Sequence, residues 1–200
     1  MARSRKSAAQ PDVSPIRLFR SKNEWAAWLD KSHRKSPGLW LRLAKKDSGL
    51  GSVTYPEALE IALCHGWIDA QKRPENEQTW LQRFTPRSTR SIWSKINREK
   101  AETLIATGAM KAAGLEAVES ANQDGRWKSA YDSSSKSTVP ADLQAALNNN
   151  PQAKAFFQTL DRANRYAILW RIQTVKKAET RTRKVQQFIA MLERKQKIHQ

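Results

Sequence analysis

Gly66-Trp67-Ile68-Asp69, Phe84-Thr85-Pro86-Arg87 and Ser91-Ile92-Trp93-Ser94-Lys95-Ile96-Asn97 gather rings, guanidinium groups, hydroxyls and a carboxylate into one short stretch. Between Arg83 and Arg98 stand five basic residues and no acidic one. Aromatic faces attract cations and flat groups, and arginine forks bind oxyanions, so such a stretch suits an anionic or planar ligand. Trp67, Asp69, Arg87, Ser91, Trp93 and Asn97 are the first candidate binding residues. Each also has a plainer reading: a helix stop at Gly66, a core ring at Trp67, and Asp69 paired with a nearby arginine. Pro86 fixes its own backbone and extends Thr85, which aims Arg87 in one direction, at a ligand or at Asp69. Ser91, Ser94 and Asn97 all favour the residue before a helix, so a helix begins here. Its amides, flanked by Arg87, Arg90 and Lys95, form an anion site or are simply capped.

A second group, Gly125-Arg126-Trp127 with Ala130-Tyr131-Asp132, repeats the mixture of arginine, aromatic and acid. Trp127 and Tyr131 share a face if this segment is helical, and they join the candidate ligand residues or form a core pair. Arg181, Arg183 and Lys184 give the last helix a basic face that can meet phosphate or stay solvated. Catalysis finds no comparable support. His33, His65 and His199 share no ligand spacing, and no Cys-x-x-Cys, His-Glu-x-x-His or glycine-rich phosphate loop occurs. Cys64 and His65 are adjacent, about 100° apart on a helix, and cannot pair as nucleophile and base. No catalytic residue, metal or cofactor is therefore assigned.

Periodicity and capping residues place these groups on helices and strands. Ser21 with Glu24, and Thr54 with Glu57, form two capping boxes, each opening a helix. Leu39, Leu41 and Leu43 alternate as in a strand. Two short strands are expected near 67–72 and 78–84, with Gly66 ending the helix before them. From Ser94 onward the pattern is helical, with proline near the first turn at Pro140 and Pro151 and a cap at Asp161. Val185, Phe188, Ile189 and Leu192 form one stripe of the last helix. The reading is α+β: a small antiparallel sheet with helices in the first half, and an all-helical second half.

Residues 1–15 read as a disordered basic arm, 16–132 as an α+β domain, and 133–200 as a helical subdomain packed on it, with Ser133–Ser137 at the boundary. At 39% hydrophobic residues and eight tryptophans, 200 residues can bury a core. No apolar run is long enough to span a membrane. The basic N-terminus has no apolar segment after it, and the single cysteine fits a reducing compartment, so the cytoplasm is expected. The net charge is +17, of which residues 1–22 and 176–200 carry +11, leaving +6 for the 153 residues between. That distribution makes nucleic-acid binding through the tails an alternative rather than the favoured reading; an enzyme with an unrecognised site is another.

Six motifs in order carry a resemblance: Gly66-Trp67-Ile68-Asp69, Phe84-Thr85-Pro86-Arg87, Ser91 to Asn97, Gly108-Ala109-Met110, Gly125-Arg126-Trp127 with Ala130-Tyr131-Asp132, and Glu179-Thr180-Arg181. Together, over roughly residues 20–195, they resemble the bacterial YdeI/OmpD-associated family, often labelled bacteriocin-protection proteins. The resemblance implies a role in tolerance of bacteriocins or cationic peptides, and it brings no catalytic or binding residues with it. The expected function is that of a cytoplasmic binding protein holding a small anionic or aromatic ligand, or a protein partner, near Trp67, Arg87 and Trp93.

Overall fold

The computed structural model describes residues 14–200, so most of the expected N-terminal arm, residues 1–13, lies outside the described residues. The chain forms two compact units. One takes the chain up to Ser91 together with Ala101–Ser120, and the other takes Ile92–Lys100 together with Ala121–Gln200. The serine-rich loop at 133–137 lies inside the second unit.

The first unit is built on a four-stranded sheet: β1 (Ile16–Leu18), β2 (Leu39–Ala44), β3 (Trp67–Pro74) and β4 (Thr79–Pro86), in the order β1-β2-β4-β3. β2, β4 and β3 are antiparallel to their neighbours, but β1 pairs parallel to β2, which makes the sheet mixed rather than purely antiparallel. All three residues of β1 are exposed, so it carries no alternation from which a strand could be read. Helices α1 (Lys22–Ser32) and α2 (Tyr55–Cys64) precede β2 and β3. The Thr54/Glu57 capping box forms in full. At α1 only half of the expected box forms: Ser21 Oγ accepts from Glu24 N, while Glu24 itself accepts from Arg20 N at 2.8 Å. Gly66 stands at φ +70°, the left-handed geometry that ends α2 and turns the chain into β3.

Trp25 and Leu29 of α1, Leu39, Leu41 and Leu43 of β2, Phe84 of β4 and Trp67 of β3 are all fully buried. Trp25 and Trp28 stack 5.4 Å apart, and Trp67 meets Trp28 edge-on at 5.7 Å. Aromatic pairs in these geometries add roughly 0.5–1.5 kcal/mol each beyond the area they bury. The ring N–H groups are satisfied too: Trp25 Nε1 donates to Ala58 O and Trp67 Nε1 to His33 O, both at 3.1 Å. A bulge between Asp69 and Lys72 interrupts the β3–β4 ladder. There Gln82, 4% exposed, turns its amide to the carbonyls of Ala70 and Gln71. Beyond the bulge the register resumes at Lys72 opposite Gln82.

Helices α3 (Lys95–Ala106) and α4 (Ala112–Gln123) contribute residues to both units. In the second unit α5 (Ala141–Asn148), α6 (Pro151–Thr159), α7 (Arg162–Gln173) and α8 (Ala178–Glu193) complete an all-helical half. Leu143 and Leu147, Phe157, Ile168 and Ile172, and Val185, Phe188 and Leu192 form its core, one stripe from each helix. Asp161 caps α7 as its sequence position implies, accepting from Asn164 N at 2.7 Å. No helix among the described residues is long and apolar enough to cross a membrane.

Candidate functional site

Trp67, Asp69, Arg87 and Ser91 belong to the first unit; Trp93, Asn97, Trp127 and Tyr131 belong to the second. Trp67 and Trp93 are each 1% exposed, so both rings are spent on packing rather than offered to a ligand. Trp93 meets Trp127 edge-on at 4.8 Å. Asp69 accepts from the Tyr55 hydroxyl at 2.8 Å, so its partner is a phenol rather than the arginine expected beside it. Arg87 N donates to Gly66 O, tying the rigid turn after β4 to the helix stop before β3.

The start of α3 is capped rather than open. Ser94 Oγ accepts from Asn97 N at 3.1 Å, and Lys95 N donates to Tyr131 O at 2.8 Å. Two of the amides that an anion would use are thus already bonded. Ser91 Oγ serves the preceding turn, accepting from Ser88 N. The segment from Asp124 to Tyr131 is a run of turns ending in an isolated bridge to Ser94, not a helix. Trp127 and Tyr131 therefore share no helical face; Tyr131 instead meets Trp170 edge-on at 6.0 Å. Asp132 ties three pieces of the second unit together. It pairs with Lys95 at 2.6 Å and accepts from Gln173 Nε2 at 2.7 Å, while its carbonyl takes the Tyr166 hydroxyl. Those bonds, Lys95 first, hold its carboxyl below the usual carboxylate range.

Arg181, first of the three basic residues on the last helix, is also engaged: its fork grips Asp142 at 2.6 and 2.9 Å, and it donates to Ile172 O. Arg183 is exposed, and Lys184 lies over the Phe188 ring at 6.0 Å.

The cavity that best fits an anion lies elsewhere in the first unit. About 560 Å³ in volume, it is lined by Ala44 at the end of β2, Lys45 and Lys46 after it, Lys72, Arg73 and Pro74 at the end of β3, and Trp80 of β4. Four of those residues are cationic, and no acidic residue is among the described residues lining it. The Lys72 ammonium lies 4.3 Å from the Trp80 ring centre, and the Arg73 guanidinium 4.2 Å from that of Trp40. Lys45 Nζ donates to Asn76 O. Glu75, next to Pro74 in sequence, is committed to Arg42 and Thr79, bonds that hold it below the usual carboxylate range. In the sequence Lys45-Lys46 and Lys72-Arg73 stand 26 positions apart and belong to no motif singled out above. Only the β2–β4–β3 register brings them to one end of the sheet.

Residues 17–117 match a family described as a domain of unknown function, DUF8412. The chain belongs to that family. Residues 136–195 match a second family, described as bacteriocin-protection, YdeI or OmpD-associated. The resemblance read from the motifs is thus upheld over the helical half. Of the six motifs, only Glu179-Thr180-Arg181 falls inside that match. Comparison with curated proteins and with solved structures finds no match. Among the described residues no three His, Cys, Asp or Glu side chains are grouped to hold a metal ion.

Proposed function

We propose that this chain is a cytoplasmic binding protein of the YdeI/OmpD-associated type that takes a small polyanion in the Lys45/Lys46/Lys72/Arg73 cavity. The supporting observation is four cations around about 560 Å³ with no acidic residue among the described lining residues. That volume lies in the ordinary range for small-molecule pockets. Trp80 supplies an apolar wall and a reporter, because an anion that draws Lys72 off the ring changes the environment of the indole. The sole cysteine, Cys64, supports a reducing compartment.

A role in protection against bacteriocins follows the description of the family that residues 136–195 match. A chain of net charge +17 repels a cationic peptide, so direct capture is disfavoured and the protective effect would run through an anionic ligand or partner. The test is titration of the protein with pyrophosphate, ATP and adenosine, followed by tryptophan fluorescence and melting temperature at low and physiological salt. Pyrophosphate or ATP should shift both signals and adenosine neither. The response should fall at least tenfold in Lys46→Ala/Lys72→Ala. An unchanged response in that variant, or none in the parent, overturns the reading.

A further inference from the structure

A second cavity, of about 290 Å³ and wholly within the second unit, is lined by Ser134, Ser137, Leu160, Arg162, Arg165, Tyr166 and Leu169. Its polar lining is almost entirely donors. Arg162 Nε donates to Ser134 Oγ at 3.1 Å, which leaves the Ser134 proton for another acceptor. Ser137 makes no side-chain hydrogen bond among the described residues. Arg165 is pinned by Nη2, which donates to Gln158 O and Leu160 O, and its guanidinium lies 5.4 Å from the Phe157 ring centre. Its Nε–H is buried and has no acceptor. A buried N–H without a partner costs roughly 1–3 kcal/mol, a penalty removed when the guanidinium turns that group to an acceptor bound in the cavity.

Charge in the neighbourhood points the same way. The described lining holds two guanidinium groups and no carboxylate. Asp161, beside Arg162 in sequence, is committed to Asn164 N and Nδ2, and Asp132 to Lys95 and Gln173. The Tyr166 hydroxyl donates to Asp132 O, so the tyrosine contributes its ring rather than its proton. Leu160, Leu169 and that ring supply the apolar part of the lining.

We infer that this cavity is a site for a dianionic phosphate, free or as a monoester, held by Arg162, the Arg165 Nε–H and the hydroxyls of Ser134 and Ser137. Two guanidinium groups and two hydroxyls match the oxygens of a tetrahedral dianion, and charge-assisted bonds of this kind are the stronger class. An ester substituent would rest on Leu160, Leu169 and the Tyr166 ring. The site is separate from the lysine-lined cavity and stands or falls independently of it.

The test is NMR of the arginine Nε–H resonances in the full chain, titrated with inorganic phosphate and with phenyl phosphate. Expected is a saturable downfield shift of the Arg165 Nε–H and slower exchange of its proton. Affinity should fall at least tenfold in Arg162→Gln, an exposed position whose loss spares the core, and in Ser137→Asp, which brings a negative charge into the cavity. Lys46→Ala/Lys72→Ala should leave the shift intact, which separates this site from the proposed function. A response to inorganic phosphate alone identifies the free ion, and a stronger response to phenyl phosphate identifies a monoester. No saturable change at Arg165, or equal changes in the parent, Arg162→Gln and Ser137→Asp, overturns the assignment.

Discussion

Gly66→Ala should be among the most damaging single-methyl additions available in this chain, for two reasons that can be measured apart. The residue stands at φ +70°, where an L side chain costs about 1–2 kcal/mol. Restricting the unfolded chain returns about 0.4–1 kcal/mol of that, leaving a net cost near 1 kcal/mol. The second reason is space. A Cβ at Gly66 would lie 2.6 Å from the carbonyl oxygen of Ala113 and 3.1 Å from its carbon, in the first turn of α4. The obstacle is backbone, so it cannot swing aside as a side-chain tip would, and overpacking of this kind costs about 1–3 kcal/mol.

Together these terms predict a loss of about 2–4 kcal/mol, or a fall in melting temperature of roughly 5–15 °C for a chain of 200 residues. Gly108 supplies the control. It has φ +71° but nothing within 4 Å of its Cβ position, so Gly108→Ala should lose only about 1 kcal/mol. Gly66→Asn separates the terms further, because asparagine tolerates the left-handed region yet brings the same Cβ. It should keep most of the Gly66→Ala loss. Scanning calorimetry of the three variants decides the matter. Equal losses at positions 66 and 108, or full recovery in Gly66→Asn, would refute the steric half of the reasoning.

Glu75→Gln should cost about 1–2 kcal/mol at pH 7, since it discharges the bond from Arg42, whose partial exposure keeps the figure low. The Arg42 bond holds Glu75 below its ordinary value, so its stabilisation is present above the unfolded carboxyl range, near about pH 4.3, and is lost as pH falls through the folded value. Urea unfolding should show the gap between parent and variant closing toward pH 3, and a constant gap would sink the claim. Phe188→Ala, in the core shared by α5 to α8, should cost about 3–5 kcal/mol by urea unfolding, and a loss under 1 kcal/mol would show that its stripe is not packed. Arg181→Ala and Asp142→Asn should each cost about 1 kcal/mol or less, being partly exposed. Their double variant should cost clearly less than the two losses added, which checks that the fork is one interaction.

What could be read from the sequence was local. Thr54 with Glu57, Asp161 before α7 and Gly66 after α2 each depend on neighbours within about four residues, and each forms as its spacing implies. The alternation of Leu39, Leu41 and Leu43 was legible because one face of β2 is buried. β1 was not legible: three exposed residues have no pattern, and their parallel pairing is fixed by β2 from across α1. The candidate site shows the same limit. Spacing puts tryptophans near arginines but is silent on whether a ring faces a core or a cleft, and Trp67 and Trp93 face cores. Eight tryptophans in a chain this polar are needed for burial before any is available for binding. Trp80 is different because it stands at the end of β4, where the ends of β2 and β3 deliver lysines rather than leucines. That difference is a property of strand register, and the bulge that brings Lys72 opposite Gln82 and over Trp80 is what sets it.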